Sequence, residues 1–208
     1  SRLVSHAGNS TSTAVHADHR FADLSADGRW VAFTTTSANI VAGLSDGNNA
    51  SDAFLYDRDN GTRVLVTRSA SSATTSANSS GMAIALSADG RWVLYQSYAS
   101  NVIAGQTEGN PGEDVFAFDR QTGTTTLVSR AAGSATGSAN DRSYPVDISD
   151  DGRWVLYYSS ASNLIGAATI SGTNAYLFDR NTGLAALVSN AVTPTTPAKT
   201  SAPEGCTP

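Results

Sequence analysis

Several groups of residues in this chain have types and spacings that could do chemistry. His16-Ala17-Asp18-His19 sets two imidazoles and a carboxylate in one short segment, donors that zinc takes in a tetrahedral set. Gly43-Leu44-Ser45-Asp46-Gly47 matches the G-x-S-x-G elbow, in which a strand-to-helix turn exposes a nucleophilic serine. Asp46 and Asp52, and then Glu108, Glu113 and Asp114, lie among Asn and Gly as oxygen ligands on turns of the kind calcium uses. Asp27, Asp89 and Asp151 recur, as do Asp57, Asp119 and Asp179, and repeated carboxylates suggest acid–base work. Trp30, Trp92 and Trp154 could serve as stacking platforms for sugars.

The elements that hold these residues decide between the readings. Asp-Gly-Arg-Trp occurs at Asp27, Asp89 and Asp151, spaced by 62 residues each time, so the chain is a tandem repeat of one supersecondary unit. Each copy opens with an apolar strand (Ala22 and Leu24, Ile84 and Leu86, Val146 and Ile148) and turns through Ser-x-Asp-Gly. Asp tolerates a strained turn and Gly supplies positive φ, a strong hairpin pattern. A second strand follows from Trp30, Trp92 and Trp154, a third spans Ala53 to Tyr56, Val115 to Phe118 and Ala175 to Phe178, and a fourth has Leu65-Val66-Thr67, Leu127-Val128-Ser129 and Leu187-Val188-Ser189 at its core. No segment has helical periodicity, so the expected fold is all-β with four short antiparallel strands per repeat.

Alignment of the copies thins the candidate chemistry. His16 aligns with Asn78 and Asn140, a loop position that needs only a polar side chain. Ser45 has no helix pattern after it, and the second copy reads Gly105-Gln106-Thr107-Glu108-Gly109 at the same place. The third copy replaces the acidic loop with Ala167 to Gly172, so calcium is expected, if at all, only at Asp46, Asp52, Glu108, Glu113 and Asp114. A catalytic site is made once, whereas a turn is needed in every copy. The recurrent aspartates are therefore turn formers, and the tryptophans pack between repeats. No catalytic set and no other cofactor is expected.

Four-stranded antiparallel repeats are what β-propeller blades are made of. Ser25 to Phe33 (Ser-Ala-Asp-Gly-Arg-Trp-Val-Ala-Phe) resembles the blade motif of TolB-type, WD-repeat-like bacterial propellers, and the aromatic-Asp-Arg-x-x-Gly turn is similar to theirs. The resemblance spans roughly residues 3 to 190. It implies periplasmic or extracellular scaffolding and binding, or a propeller attached to a hydrolase, and it transfers no catalytic residue. The expected organisation is a unit over 1–190, with repeats at about 15–69, 77–131 and 139–190 and an extra fourth-strand copy at 2–6 (Leu3-Val4-Ser5), followed by a Pro/Thr/Ser-rich tail at 191–208. Three blades do not readily close a ring. The expectation is a partial ring from a longer parent chain or a ring completed by a second copy; a β-trefoil is the alternative fold. The start without Met, in mid-repeat, fits a processed or excised piece.

Composition narrows the class of function. The net charge is −5 and Lys199 is the only lysine, which excludes a basic nucleic-acid binder as the default. No apolar run reaches the ~20 residues of a membrane helix. Cys206, the single cysteine, lies in the tail, so neither an intrachain disulfide nor a cysteine-rich zinc site forms. The functional expectation is a non-catalytic binding or scaffolding module of a secreted or periplasmic bacterial protein, engaging a protein or polysaccharide through loops that differ between copies. His16, Asp18, His19, Arg20, Asp141, Arg142 and Tyr144 are the candidates. The alternatives are the substrate-gating propeller piece of a hydrolase and an oligomeric lectin.

Overall fold

The computed structural model describes residues 19–166 and 170–189. These form three separate four-stranded antiparallel sheets, each a meander in chain order. The first blade is β1 (His19–Leu24), β2 (Trp30–Thr35), β3 (Asp52–Asp57) and β4 (Arg63–Leu65). The second is β5 (Gly81–Leu86), β6 (Trp92–Ser97), β7 (Asp114–Asp119) and β8 (Thr124–Leu127), and the third is β9 (Ser143–Ile148), β10 (Trp154–Ser159), β11 (Asn174–Asp179) and β12 (Leu184–Leu187). Adjacent blades meet face to face, with β1 against β5 and β5 against β9. This is the propeller arrangement of blades; a β-trefoil, whose units close one shared barrel, is set aside. Among the described residues no helix is long and apolar enough to cross a membrane.

The repeated motif makes the tight turn that its residues predict. Asp27 accepts from Ser25 Oγ at 2.6 Å and from the Arg29 backbone N–H at 2.9 Å, while Gly28 takes φ 66°. Arg29 then reaches across the sheet to Asp57 in a two-pronged ion pair, Nε to Oδ1 at 3.0 Å and Nη2 to Oδ2 at 2.8 Å. Arg91–Asp119 and Arg153–Asp179 repeat the pair. The recurrent Asp after the third strand is thus both a turn former and the anchor of the motif's arginine. Such a fork-on-fork geometry fixes direction as well as charge.

Tryptophan locks one blade to the next. A Cβ on Gly90 would lie 2.4 Å from the Trp30 ring, and the Arg120 guanidinium stacks over that ring at 3.8 Å. Trp92 repeats this against Gly152 and Arg180. The blades are also joined through the backbone, Ala26 N–H to Ala88 O at 2.9 Å and Ala88 N–H to Asp150 O at 3.0 Å. Behind each Trp, one side of a sheet fills the next blade's aromatic face: Ala32, Leu55 and Val66 on Tyr95, Phe116 and Phe118, then Leu94, Ala117 and Val128 on Tyr157, Tyr176 and Phe178. A third cluster, Phe33, Ile40, Phe54, Tyr56 and Leu65, belongs to the first blade alone.

Two strand expectations need correction. Each opening strand carries a bulge, at the same place in the second and third blades, between Ala83 and Ala85 and opposite Leu156/Tyr157, and one residue earlier in the first, between Arg20 and Ala22. An extra residue breaks simple alternation, and Val146, the bulged residue of β9, is exposed; Leu24 is exposed too, although Leu86 and Ile148 at its position are buried against the preceding blade. The same strands begin earlier than expected, so His19, Arg20 and Tyr144 lie in strands and not in loops. The fourth strands stop at Leu65, Leu127 and Leu187, before the Val-Thr/Ser pair that was read as their core. Thr67 and Ser129 turn inward to other partners, described below. The extra strand at 2–6 and the tail at 191–208 lie outside the described residues.

Candidate functional site

One end of each blade is made of tight turns and the other of long loops. The strand registers put Thr35, Ser97 and Ser159 beside the starts of the neighbouring strands at that loop end. Loops there are held down by amides. Asn78 donates to Ser100 Oγ at 2.8 Å and accepts from the Ser100 N–H at 2.9 Å, with Asn140 and Ser162 in the same exchange. From the other side, Asn48 donates to Ala77 O and Asn110 to Ala139 O, at 2.8 and 2.7 Å. The loop between successive blades is thus clamped by both, a rigid base for any surface it presents.

The five acidic calcium candidates do not gather into one set. Asp52 is buried and accepts from Thr67 Oγ at 2.7 Å, while that hydroxyl accepts from the Ala53 N–H at 3.0 Å. Burial, with Asp46 nearby, pushes the Asp52 carboxyl up to about 7. Asp114 repeats this with Ser129, again raised by burial and then by Glu108. In the third blade Asn174 occupies the position and takes the hydrogen bond of Ser189 at 3.0 Å. Asp46 caps its own turn, accepting from the N–H groups of Asn48 and Asn49. Glu113 sits apart from these pairs. Among the described residues no three His, Cys, Asp or Glu side chains converge as metal ligands.

Ser45 lies in a clamped loop, its N–H on Thr74 O at 2.8 Å and its carbonyl accepting from Ser76 at 3.0 Å, with no helix after it. His16 and Asp18 lie outside the described residues. Asp141 and Arg142 precede β9 at the loop end of the second junction, and there the structure brings together what the sequence left scattered.

Tyr98, at the end of β6, hydrogen-bonds through its hydroxyl to Glu113 Oε1. Arg142 Nη1 lies 3.4 Å from the Tyr144 hydroxyl and is further stabilised in its charged form by Glu113. The hydrogen bond to Glu113 raises the Tyr98 phenol, which Tyr144 also feels. Four side chains from two blades therefore form one exposed cluster with two aromatic bodies, a cation and an anion. The first junction has no counterpart: the aligned residues are Thr36, Ser51, Ser80 and Met82. Sequence reading found Arg142 and Tyr144 and placed Glu113 in a metal loop; Tyr98 was missed, although a tyrosine where the other copies have Thr36 and Ser160 is a visible departure. Small residues leave the first junction open instead, with a cleft of ≈ 190 Å³ between Thr34, Ser51, Gly81 and Tyr98. Two grooves of ≈ 370 Å³, around Arg68 and Arg130, repeat at equivalent places and so follow from junction geometry.

No family model matches the sequence. No curated protein matches it either. Comparison with solved structures finds β-propellers. The chain is similar to TolB from Acinetobacter baumannii, at 14% identity over 83% of this chain and 32% of that one, with a TM-score of 0.44. It is similar to the putative TolB from Agrobacterium tumefaciens, at 15% identity over 83% and 49% of the two chains, TM-score 0.43. It is similar to the β-propeller domain of the Trilobed protease from Pyrococcus furiosus, at 14% identity over 81% and 41%, TM-score 0.49. The chain spans less than half the length of each.

Proposed function

We propose that this chain is a non-catalytic binding module of a secreted or envelope protein and that it engages a protein or polysaccharide partner through the loop end of its blades. The observation that supports this is the cluster of Tyr98, Glu113, Arg142 and Tyr144, formed at one junction only. The Arg–Asp fork and the hairpin aspartates, by contrast, recur in every described blade and are used up in turns and sheet packing. Tyrosine and arginine on rigid backbone are the side chains that dominate binding energy at interfaces, and loops on a fixed scaffold are where such contacts are placed. The envelope setting rests on the sequence resemblance to TolB-type propellers.

Retention of partners from envelope extract, run beside a glycan array, tests the reading. Tyr98→Ala and Arg142→Ala are each expected to weaken retention by tenfold or more, a loss of about 1–2 kcal/mol or greater, with the melting temperature unchanged. Undiminished retention by the double variant would overturn the assignment of this surface.

A further inference from the structure

The two grooves of ≈ 370 Å³ have equivalent positions and different linings. Each runs between the segment that leaves one blade and the last hairpin of the next, 68–73 beside 123–125 and 130–135 beside 182–185. One arginine holds the same place in both. Arg68 Nη2 donates to Gly123 O while its guanidinium lies 4.9 Å from the centre of the Phe118 ring, and Arg130 does the same with Gly183 O and Phe178 at 5.1 Å. A carbonyl takes one of a guanidinium's five N–H groups. Arg29, Arg91 and Arg153 each face a carboxylate, whereas Arg68 makes no ion pair among the described residues and no Asp or Glu lines its groove. Burial works against its charge, with the Tyr95 phenol beside it as the offset.

Hydroxyls separate the two grooves. Around Arg68 stand Ser69, Ser71, Thr124 and Thr125, and at the same positions around Arg130 are Ala131, Gly133, Leu184 and Ala185. Junction geometry accounts for a shape that recurs, but not for four hydroxyls that stand at one junction and not at the other. A buried group lies behind them. The Tyr95 hydroxyl is fully buried and makes no hydrogen bond of full geometry among the described residues, with Thr125 and Arg68 as its polar neighbours. Buried polar atoms are nearly always paired. Tyr157 stands likewise near Arg130, so the buried hydroxyl marks both arginines while the hydroxyl lining marks Arg68 alone.

We propose that the groove at the first junction binds an acidic sugar unit, its oxyanion on the Arg68 guanidinium and its ring hydroxyls on Ser71, Thr124 and Thr125. A half-buried guanidinium with no carboxylate of its own calls for an anion, and the planar fork suits an oxyanion. The groove extends beyond the arginine, so a lone oxyanion leaves its hydroxyls idle. Serine and threonine hydroxyls both donate and accept, as ring hydroxyls do, and the two sets can pair in either sense. An acidic peptide side chain uses the arginine and has nothing for the threonines. The groove shares no residue with the loop-end cluster of Tyr98, Glu113, Arg142 and Tyr144, and its function does not depend on that cluster's.

Titration of the isotope-labelled full chain, followed through its backbone amide resonances, tests the proposal with glucuronate and a sulfated glucose as the acidic probes and glucose and inorganic sulfate as controls. At least one acidic sugar is expected to shift the amides of 68–73 and 123–125 with a dissociation constant of about a millimolar, as suits a ligand of that size in an open groove. Which of the two binds tells whether the acid is a carboxylate or a sulfate ester. Glucose and sulfate are expected to bind at least tenfold more weakly, and the amides of 130–135 to stay still. Arg68→Gln is expected to abolish the shifts and Arg130→Gln to leave them. Should Arg68→Gln disturb folding, Thr124→Leu with Thr125→Ala keeps the arginine and installs residues that the other groove already carries; it is expected to weaken binding at least tenfold at an unchanged melting temperature. No shift with either acidic sugar into the tens of millimolar, about tenfold above the expected constant, overturns the proposal. So does glucose, sulfate or a short glutamate peptide that binds as tightly, or binding that survives the threonine pair.

Discussion

Two buried aspartates behave as the third blade's asparagine does. Asp52 and Asp114 each take one hydroxyl hydrogen bond from Thr67 or Ser129, in a place where Asn174 serves equally. A carboxyl lifted to about 7 from an ordinary 3.8 binds its proton more tightly folded than unfolded. That contribution is complete below 3.8 and is lost as pH rises through about 7. The opposite holds for Asp179, which the Arg153 fork draws down to about 2, so its stabilisation is present above 3.8 and fades as pH falls toward 2. Melting temperature is therefore expected to peak in the mildly acidic range and to decline toward neutral pH. Asp52→Asn and Asp114→Asn should flatten the decline, each raising the neutral-pH melting temperature by several degrees, given about 2–4 °C per kcal/mol for a chain of this size. A decline as steep in the double variant as in the parent chain would show that the carboxyls are not its cause.

At the scale of elements, the glycine of the hairpin has two jobs that a mutation series can separate. Gly28, Gly90 and Gly152 all have φ of 64–69°, but only Gly90 and Gly152 also lie under a tryptophan from the preceding blade. A Cβ on Gly28 meets nothing closer than Arg58 Nη1 at 3.4 Å. Gly28→Ala should cost about 1–2 kcal/mol for the left-handed backbone alone, and Gly90→Ala a further 1–3 kcal/mol, roughly, for overpacking, read from urea midpoints at constant slope. The turn itself was legible because Asp-Gly chemistry is local, and the period placed Trp30 at a blade junction because only packing recurs in every copy. The Arg29–Asp57 fork joins residues of two different turns and leaves no local pattern, so it was not legible. The bulge was missed because one extra residue looks like ordinary apolar sequence, and Val66-Thr67 was read as strand because its β-propensity does not reveal that the hydroxyl is committed to Asp52. Arg142 and Tyr144 stood out by differing from Ser80 and Met82, but their meeting with Tyr98 and Glu113 depends on how two blades face each other.

For the molecule as a whole, stability is set by whether a blade has a successor, and one residue type reports on it three times. Val66, Val128 and Val188 occupy the same position after the fourth strand; the first two are sealed by the next blade and the third is open. Burying a valine is worth about 1.5–3 kcal/mol, so Val66→Ala and Val128→Ala should each lose that order of stability. Val188→Ala, made at the same position with the same chemistry, should stay within about 0.5 kcal/mol at dilutions where the chain is monomeric. The same asymmetry orders local opening. Amides in β11 and β12 have no covering sheet on their outer side among the described residues and should exchange with a lower free energy than those of β7 and β8, which sit between two blades, because protection follows buried apolar contact. Hydrogen exchange at low concentration checks this directly: equal protection in β8 and β12 would mean that the third blade's open face is covered within the single chain, and Val188→Ala would then cost as much as Val128→Ala.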